Sequence, residues 1–252
     1  MPARLDHLVI LVRDLEEAVR DYGRLGFRVT PGGEHADGLT RNALVPLWDG
    51  TYLELVAFVD PEDGRDNVWG WRRFLPREGL VDYCAASDGL RDEAGRLRGL
   101  GLGVEDLGEG GRRLPGGEEI RWRSASIAQE GKILPFLIED VTPRRMRVPG
   151  GRAADHPNGA AGISRLEVST RDPAKARSDL AALTDAPSGS LELGACEIIP
   201  VEQGEQEREG PSAVGLSTGI PGVAGELDRT LSHGARFTFM PEAGGRPLTA
   251  DS

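Results

Sequence analysis

The chain has 252 residues, 38% of them hydrophobic, which is enough for one large domain or two modest ones whose core needs no disulfide staple. Its formal charge of −11, from 41 acidic against 30 basic side chains, repels phosphate backbones and anionic lipid, so neither nucleic acid nor a membrane is an expected partner. Cys84 and Cys196 stand far apart without CxxC spacing, no basic-then-apolar leader opens the sequence, and no apolar run nears the ~20 residues that span a bilayer, so free thiols and a cytoplasmic setting are expected.

Leu5–Val12 is almost continuously apolar and β-branched, which predicts a strand covered on both faces with His7, Val9 and Leu11 on one side. Asp14 stands where a helix cap belongs, Glu17 follows three residues on, and Leu15, Ala18, Val19, Tyr22 and Leu25 form the apolar stripe that Gly26 closes. Strand-like runs follow at Phe27–Thr30, Thr40–Leu47 and Thr51–Phe58, separated by a Gly32-Gly33 turn and an Asp49-Gly50 hairpin signal. The order is strand, helix, three strands.

That order returns. Leu80–Ala86 is a second opening strand, Gly89–Leu100 a second helix, and Arg112–Leu114, Glu119–Ile127 and Leu134–Glu139 are strands. A third start lies at Gly162–Thr170, with Pro173 at the first helical position and Ala176, Leu180 and Leu183 at helical spacing. Leu191–Val201 and Ser212–Ser217 read as strands joined by the charged stretch Glu202–Gly210, read as a solvated hairpin loop. The expected fold class is α+β, with repeated βαβββ modules. The first covers 1–60, a linker 61–79, the second 80–140, a linker 141–161, a third and partial module 162–241, and a flexible tail 242–252.

Glu54 carries the strongest chemical signal, because it shares a strand face with Tyr52 and Val56 and a carboxylate taken from water needs a compensating partner. His7, on another strand of the same module, would supply a nitrogen beside that oxygen, half of a divalent metal site. An arginine beside Glu54, or water at a strand end, would satisfy it equally. Asn42, Trp48 and Tyr52 lie where strands would line a cleft and could contact a polar or flat substrate. His35 and His156 could complete a metal site or touch the substrate.

Gly99–Gly103 follows a helix and reads as a helix exit, since a dinucleotide fingerprint must follow a strand. Neither a GxxxxGK[ST] loop nor a GxSxG elbow is present. Arg144–Arg147 reads as a solvated linker, and Trp69, Trp71 and Phe74 as anchors of the first linker or a lid.

The strings Leu5–Leu15, Gly38–Asn42, Asp49–Leu55, Leu134–Asp140 and His156–Ala160, taken in order, resemble the glyoxalase-like proteins of the vicinal oxygen chelate superfamily. The resemblance implies paired modules curling into an open, eight-stranded, barrel-like sheet around a cleft, with metal ligands on the opening and last strands of each module. That pattern maps onto His7 and Glu54, and in the second module onto Glu139, with Asp82 or Tyr83 standing where a further histidine would be. It implies a divalent ion, zinc, iron, manganese or nickel, and a small substrate with a carbonyl or vicinal oxygens. Glu139 would shuttle a proton in lyase, isomerase or dioxygenase chemistry, and a homodimer fits the family. The alternative is a metal-free protein of the bleomycin-resistance type that sequesters a small molecule.

Overall fold

A computed structural model describes residues 4–184, 191–205 and 207–241; the tail expected to be flexible, from Glu242 on, lies outside these residues. The first module runs β1 (Arg4–Leu11), α1 (Leu15–Arg24), β2 (Thr30–His35), β3 (Thr40–Pro46) and β4 (Tyr52–Phe58). The second runs β5 (Gly79–Ala86), α2 (Leu90–Gly99), β6 (Val104–Arg113), β7 (Glu119–Ile127) and β8 (Phe136–Asp140). Asp14 caps α1 as its position predicts, its side chain accepting from the Glu17 amide at 2.8 Å.

The two modules close into one eight-stranded barrel in the order β1-β4-β3-β2-β6-β7-β8-β5. β1 lies antiparallel to β5, with His7 opposite Cys84. The ring expected to stay open is shut by a short antiparallel seam between β2 and β6, where His35 faces Arg112. Alternation along the strands sorts the side chains into two layers. Val9, Leu11, Val56, Phe58 and Ile138 fill the barrel. Leu8, Ile10, Leu53 and Leu55 face outward into a second core with α1 and α2.

Gly32-Gly33 is no turn. Both residues lie inside β2, at a bulge, because a Cβ on Gly32 would overlap the Asn42 side chain and one on Gly33 would overlap the Arg113 carbonyl. Close approach of neighbouring strands is what requires glycine here.

After a single helical turn, α3 (Arg144–Arg147), the chain forms β9 (Ala160–Thr170), α4 (Pro173–Thr184), β10 (Glu192–Leu193), β11 (Cys196–Glu202), β12 (Gly210–Thr218), β13 (Gly225–Glu226) and β14 (Phe237–Pro241). These strands make a six-stranded sheet in the order β10-β11-β9-β12-β14-β13. Its centre repeats the barrel: β9 and β12 are antiparallel like β1 and β5, and β11 and β14 flank them in parallel as β4 and β8 do. The segment read as a third partial module thus repeats the barrel's central strand pairing, without its outermost strands and, among the described residues, with a helix after β9 but none after β12. Glu202–Gly210 is not a hairpin, since β11 and β12 lie on opposite sides of β9; the stretch crosses the end of β9, where the Glu209 carboxylate accepts from the Arg171 amide at 3.0 Å. Leu166, Val168, Leu216 and Phe237 pack this sheet onto the outer face of the barrel as one continuous core.

No described helix is long and apolar enough to cross a membrane.

Candidate functional site

His7, Glu54, Asn42 and Tyr52 meet inside the barrel because β1, β4 and β3 are neighbours and each presents these residues on its inner face. The cavity between them measures about 30 Å3. It has room for an ion or a water and little more. Around it stand Trp69, Trp71, Trp122 and Phe136, so the linker aromatics both anchor the linker and wall the cavity. A second cavity of about 130 Å3 adjoins it, sharing His35, Trp69 and Trp122.

Glu54 is the centre of the polar cluster. His7 Nε2 lies 3.3 Å from Oε2 and His35 Nε2 lies 3.6 Å from Oε1, so the two rings bracket one carboxylate, and the Asn42 amide donates to Oε1 as well. Burial alone would raise the Glu54 carboxyl, but the hydrogen bonds and charge of His35 and His7 outweigh it and hold the group well below the usual carboxylate range. Burial pulls the His7 imidazole down, while hydrogen bonds to Asp6 and Glu54 raise it beyond its ordinary value. Each ring is fixed through its other nitrogen, His7 Nδ1 against Asp6 Oδ1 at 2.7 Å and His35 Nδ1 against Thr40 Oγ1 at 2.8 Å. Tyr52 stacks on His7 with centroids 4.5 Å apart.

Behind His7 lies an ion network that sequence reasoning missed. Arg147, expected in a solvated linker, is 2% exposed and donates to Asp6 at 2.9 and 3.1 Å, to Asp140 at 2.6 and 2.9 Å and to the Tyr52 hydroxyl at 2.8 Å. Arg144 also reaches Asp6. Burial would raise the Asp6 carboxyl; Arg147 and His7 together hold it well below its usual range. The available signal was Asp6 itself, a carboxylate beside His7 in a strand buried on both faces, which needed a cation from elsewhere.

Asp6, His7 and Cys84 form a group whose ligand atoms all lie within 4.8 Å of one another, a set that could hold a metal ion. Two observations weigh against its use as such. Both Asp6 oxygens are taken by guanidinium groups, and burial among carboxylates pushes the Cys84 thiol well above its ordinary value, away from the thiolate a metal binds. His7, His35 and Glu54 offer the better donors: two imidazoles and an ionised carboxylate, each oriented by a second hydrogen bond.

The other expected residues lie elsewhere. Glu139 is on the outer face of β8, near Arg123 at 3.8 Å, while Phe136 and Ile138 point into the barrel, so it cannot pass a proton to a group beside His7. One residue of strand parity decides this. Trp48 is 52% exposed, at the β3–β4 turn outside the cavity. His156 is buried but structural: its Nδ1 accepts from the Arg28 amide at 2.9 Å and its Nε2 meets the Pro46 carbonyl at 2.7 Å. Asp82, in place of a second histidine, faces into the barrel and is bound by Lys132 at 2.8 Å and by the Trp71 indole at 2.9 Å. Tyr83 points to the outer core.

The barrel of paired βαβββ modules with a polar cluster on its first and fourth strands is the vicinal oxygen chelate fold. Residues 5–184 match the family model described as a glyoxalase-like domain, and the chain belongs to that family. No curated protein sequence matches it significantly. Among solved structures, it is similar to a hypothetical protein from Staphylococcus aureus, with a TM-score of 0.76 at 15% identity over 95% of this chain and 100% of the other. It is also similar to a mutant of 4-hydroxymandelate synthase from Streptomyces coelicolor, with a TM-score of 0.59 at 12% identity over 98% and 94% of the two chains. Such identities bear on the fold alone.

Proposed function

We propose that the barrel cavity is the active site of a divalent-metal-dependent enzyme acting on a small carbonyl or vicinal-oxygen substrate by lyase, isomerase or dioxygenase chemistry. His7, His35 and Glu54 are its ligands. One observation carries the reading: two histidines, His7 buried and His35 partly so, turn Nε2 toward the same ionised carboxylate while a side-chain oxygen fixes Nδ1 of each. Two imidazoles and a carboxylate suit zinc, iron, manganese and nickel, and among these ferrous iron most closely. The ion would polarise a substrate oxygen and stabilise charge developing on it. The protein's own part is positional: Asp6 and Thr40 hold the rings, Asn42 holds Glu54, and the tryptophans keep water from the cavity. The cavity of about 30 Å3 leaves no room for a substrate body, which belongs in the adjoining cavity of about 130 Å3.

A second reading has support as well. His7 and Glu54 already neutralise each other across 3.3 Å, so the cluster is self-sufficient and fits a metal-free protein that binds a small molecule. Metal analysis separates the two. Protein purified without chelator and reconstituted with each ion is expected to retain about one equivalent. His35→Ala and the His7→Ala/Glu54→Ala double variant should lose it with unchanged circular dichroism. Wild-type protein that retains none of the four ions would rule out the enzyme reading in favour of ligand sequestration.

A further inference from the structure

The same cavity holds a guanidinium to which no carboxylate is hydrogen-bonded. Arg112, at the β6 side of the seam, is 3% exposed. Its Nη1 donates to Asn42 Oδ1 at 3.2 Å and its Nη2 to the Arg147 backbone carbonyl at 2.7 Å, both neutral acceptors. Its Nε is buried and has no acceptor among the described residues. Arg147, the neighbouring guanidinium, is by contrast shared between Asp6 and Asp140. Glu54, the remaining carboxylate that lines the cavity, is engaged by His7, His35 and Asn42. A buried cation whose donors meet only neutral acceptors, one of them meeting none, carries a penalty that folding alone gives no reason to keep. Sites that break a packing rule in this way are where ligands bind.

We infer that Arg112 is the anion-recognition residue of this cavity, its guanidinium pairing with the carboxylate of a small organic acid whose flat apolar body lies between Trp69 and Trp122. The inference rests on the cavity being the substrate site. A divalent ion beside Glu54 would add positive charge to that of Arg112, which further favours an anionic substrate over a neutral one. Asn67 gives the adjoining cavity a second polar point: it is 6% exposed, lines that cavity, and its Nδ2 has no acceptor among the described residues. Gly33, whose Cβ would also press on the Arg112 side chain, is what lets the guanidinium lie against β2.

The test uses phenylacetate and phenylacetamide, which share shape and differ in charge, with tryptophan fluorescence as the readout of binding to metal-reconstituted protein. Wild type is expected to bind the acid at least about tenfold more tightly than the amide. Arg112→Met should erase that preference while metal content stays at the wild-type level, and phenylacetate should raise the melting temperature of wild type only. Arg112→Lys, which keeps the charge and loses Nε, serves if Arg112→Met does not fold, and should lose most of the preference. Equal binding of acid and amide, no binding of either, or a preference that survives both substitutions overturns the inference. A preference that survives substitution but disappears when metal is stripped assigns anion reading to the metal and leaves the metal site standing. An Arg112-dependent preference in protein that takes up no metal does the reverse.

Discussion

His156 is neutral by construction: its Nδ1 must accept from the Arg28 amide, so Nε2 carries the proton given to the Pro46 carbonyl, and burial lowers the ring below its ordinary value. Protons therefore bind the unfolded chain more readily than the folded one. The stability this group contributes is complete above about pH 6.5 and falls as the pH drops through the folded value, by at most about 1.4 kcal/mol per unit. His156→Gln, which can still donate to Pro46, should flatten that part of the stability curve in urea titrations at pH 7, 6 and 5. An unchanged slope would assign the acid sensitivity to other groups. A histidine that sequence reading places in a substrate site is in this way the bolt between the 141–161 linker and the first module.

At the scale of elements, β2 shows how much one strand can hide. Its Gly32-Gly33 pair reads as a turn because turns are where glycine is common, yet here it lets Asn42 and Arg112 lie against the backbone. Gly32→Ala should cost about 1–3 kcal/mol in denaturant unfolding and, by displacing Asn42 from Glu54, weaken metal retention as well. A neutral substitution would show that Asn42 can move freely. The order of elements through β8 was legible from hydrophobic period and capping, but two strands were misplaced, β2 read at Phe27–Thr30 and lying at Thr30–His35, β6 read at Arg112–Leu114 and running Val104–Arg113; His7 and Glu54 were legible from a carboxylate placed in an apolar strand. Glu139 failed because face assignment depends on registering a strand to within one residue, and the sequence offers no turn close enough to fix it. Arg147 was misread as solvated and Arg112 passed over for a different reason. A cation's burial is decided by distant partners, Asp6 lying 141 positions from Arg147, and local composition carries no trace of them.

For the whole molecule, the six-stranded sheet shares a core with the outer face of the barrel, so the two should unfold together. All four tryptophans, Trp48, Trp69, Trp71 and Trp122, belong to the barrel half, so fluorescence reports on the barrel and far-ultraviolet circular dichroism on both sheets. Urea transitions followed by the two signals are expected to coincide; a fluorescence midpoint displaced from the dichroism midpoint would show that the sheets melt separately. The reduced sheet keeps the central strand pair but has Arg165 paired with Glu167 at 3.0 Å where the barrel has its histidine cluster.

Consider finally the chain as it leaves the ribosome. The cluster draws on Asp6 at one end and Arg147 at the other, and the barrel is shut by β2 and β6, which come from different modules. The proposed ligands His7, His35 and Glu54 all come from the first module, but Arg147, which holds Asp6 behind His7, is made only when more than half the chain has been synthesised. The donors of the cluster thus precede, in order of synthesis, the guanidinium that fixes one of them, and the first module alone would present them less rigidly than the closed barrel does.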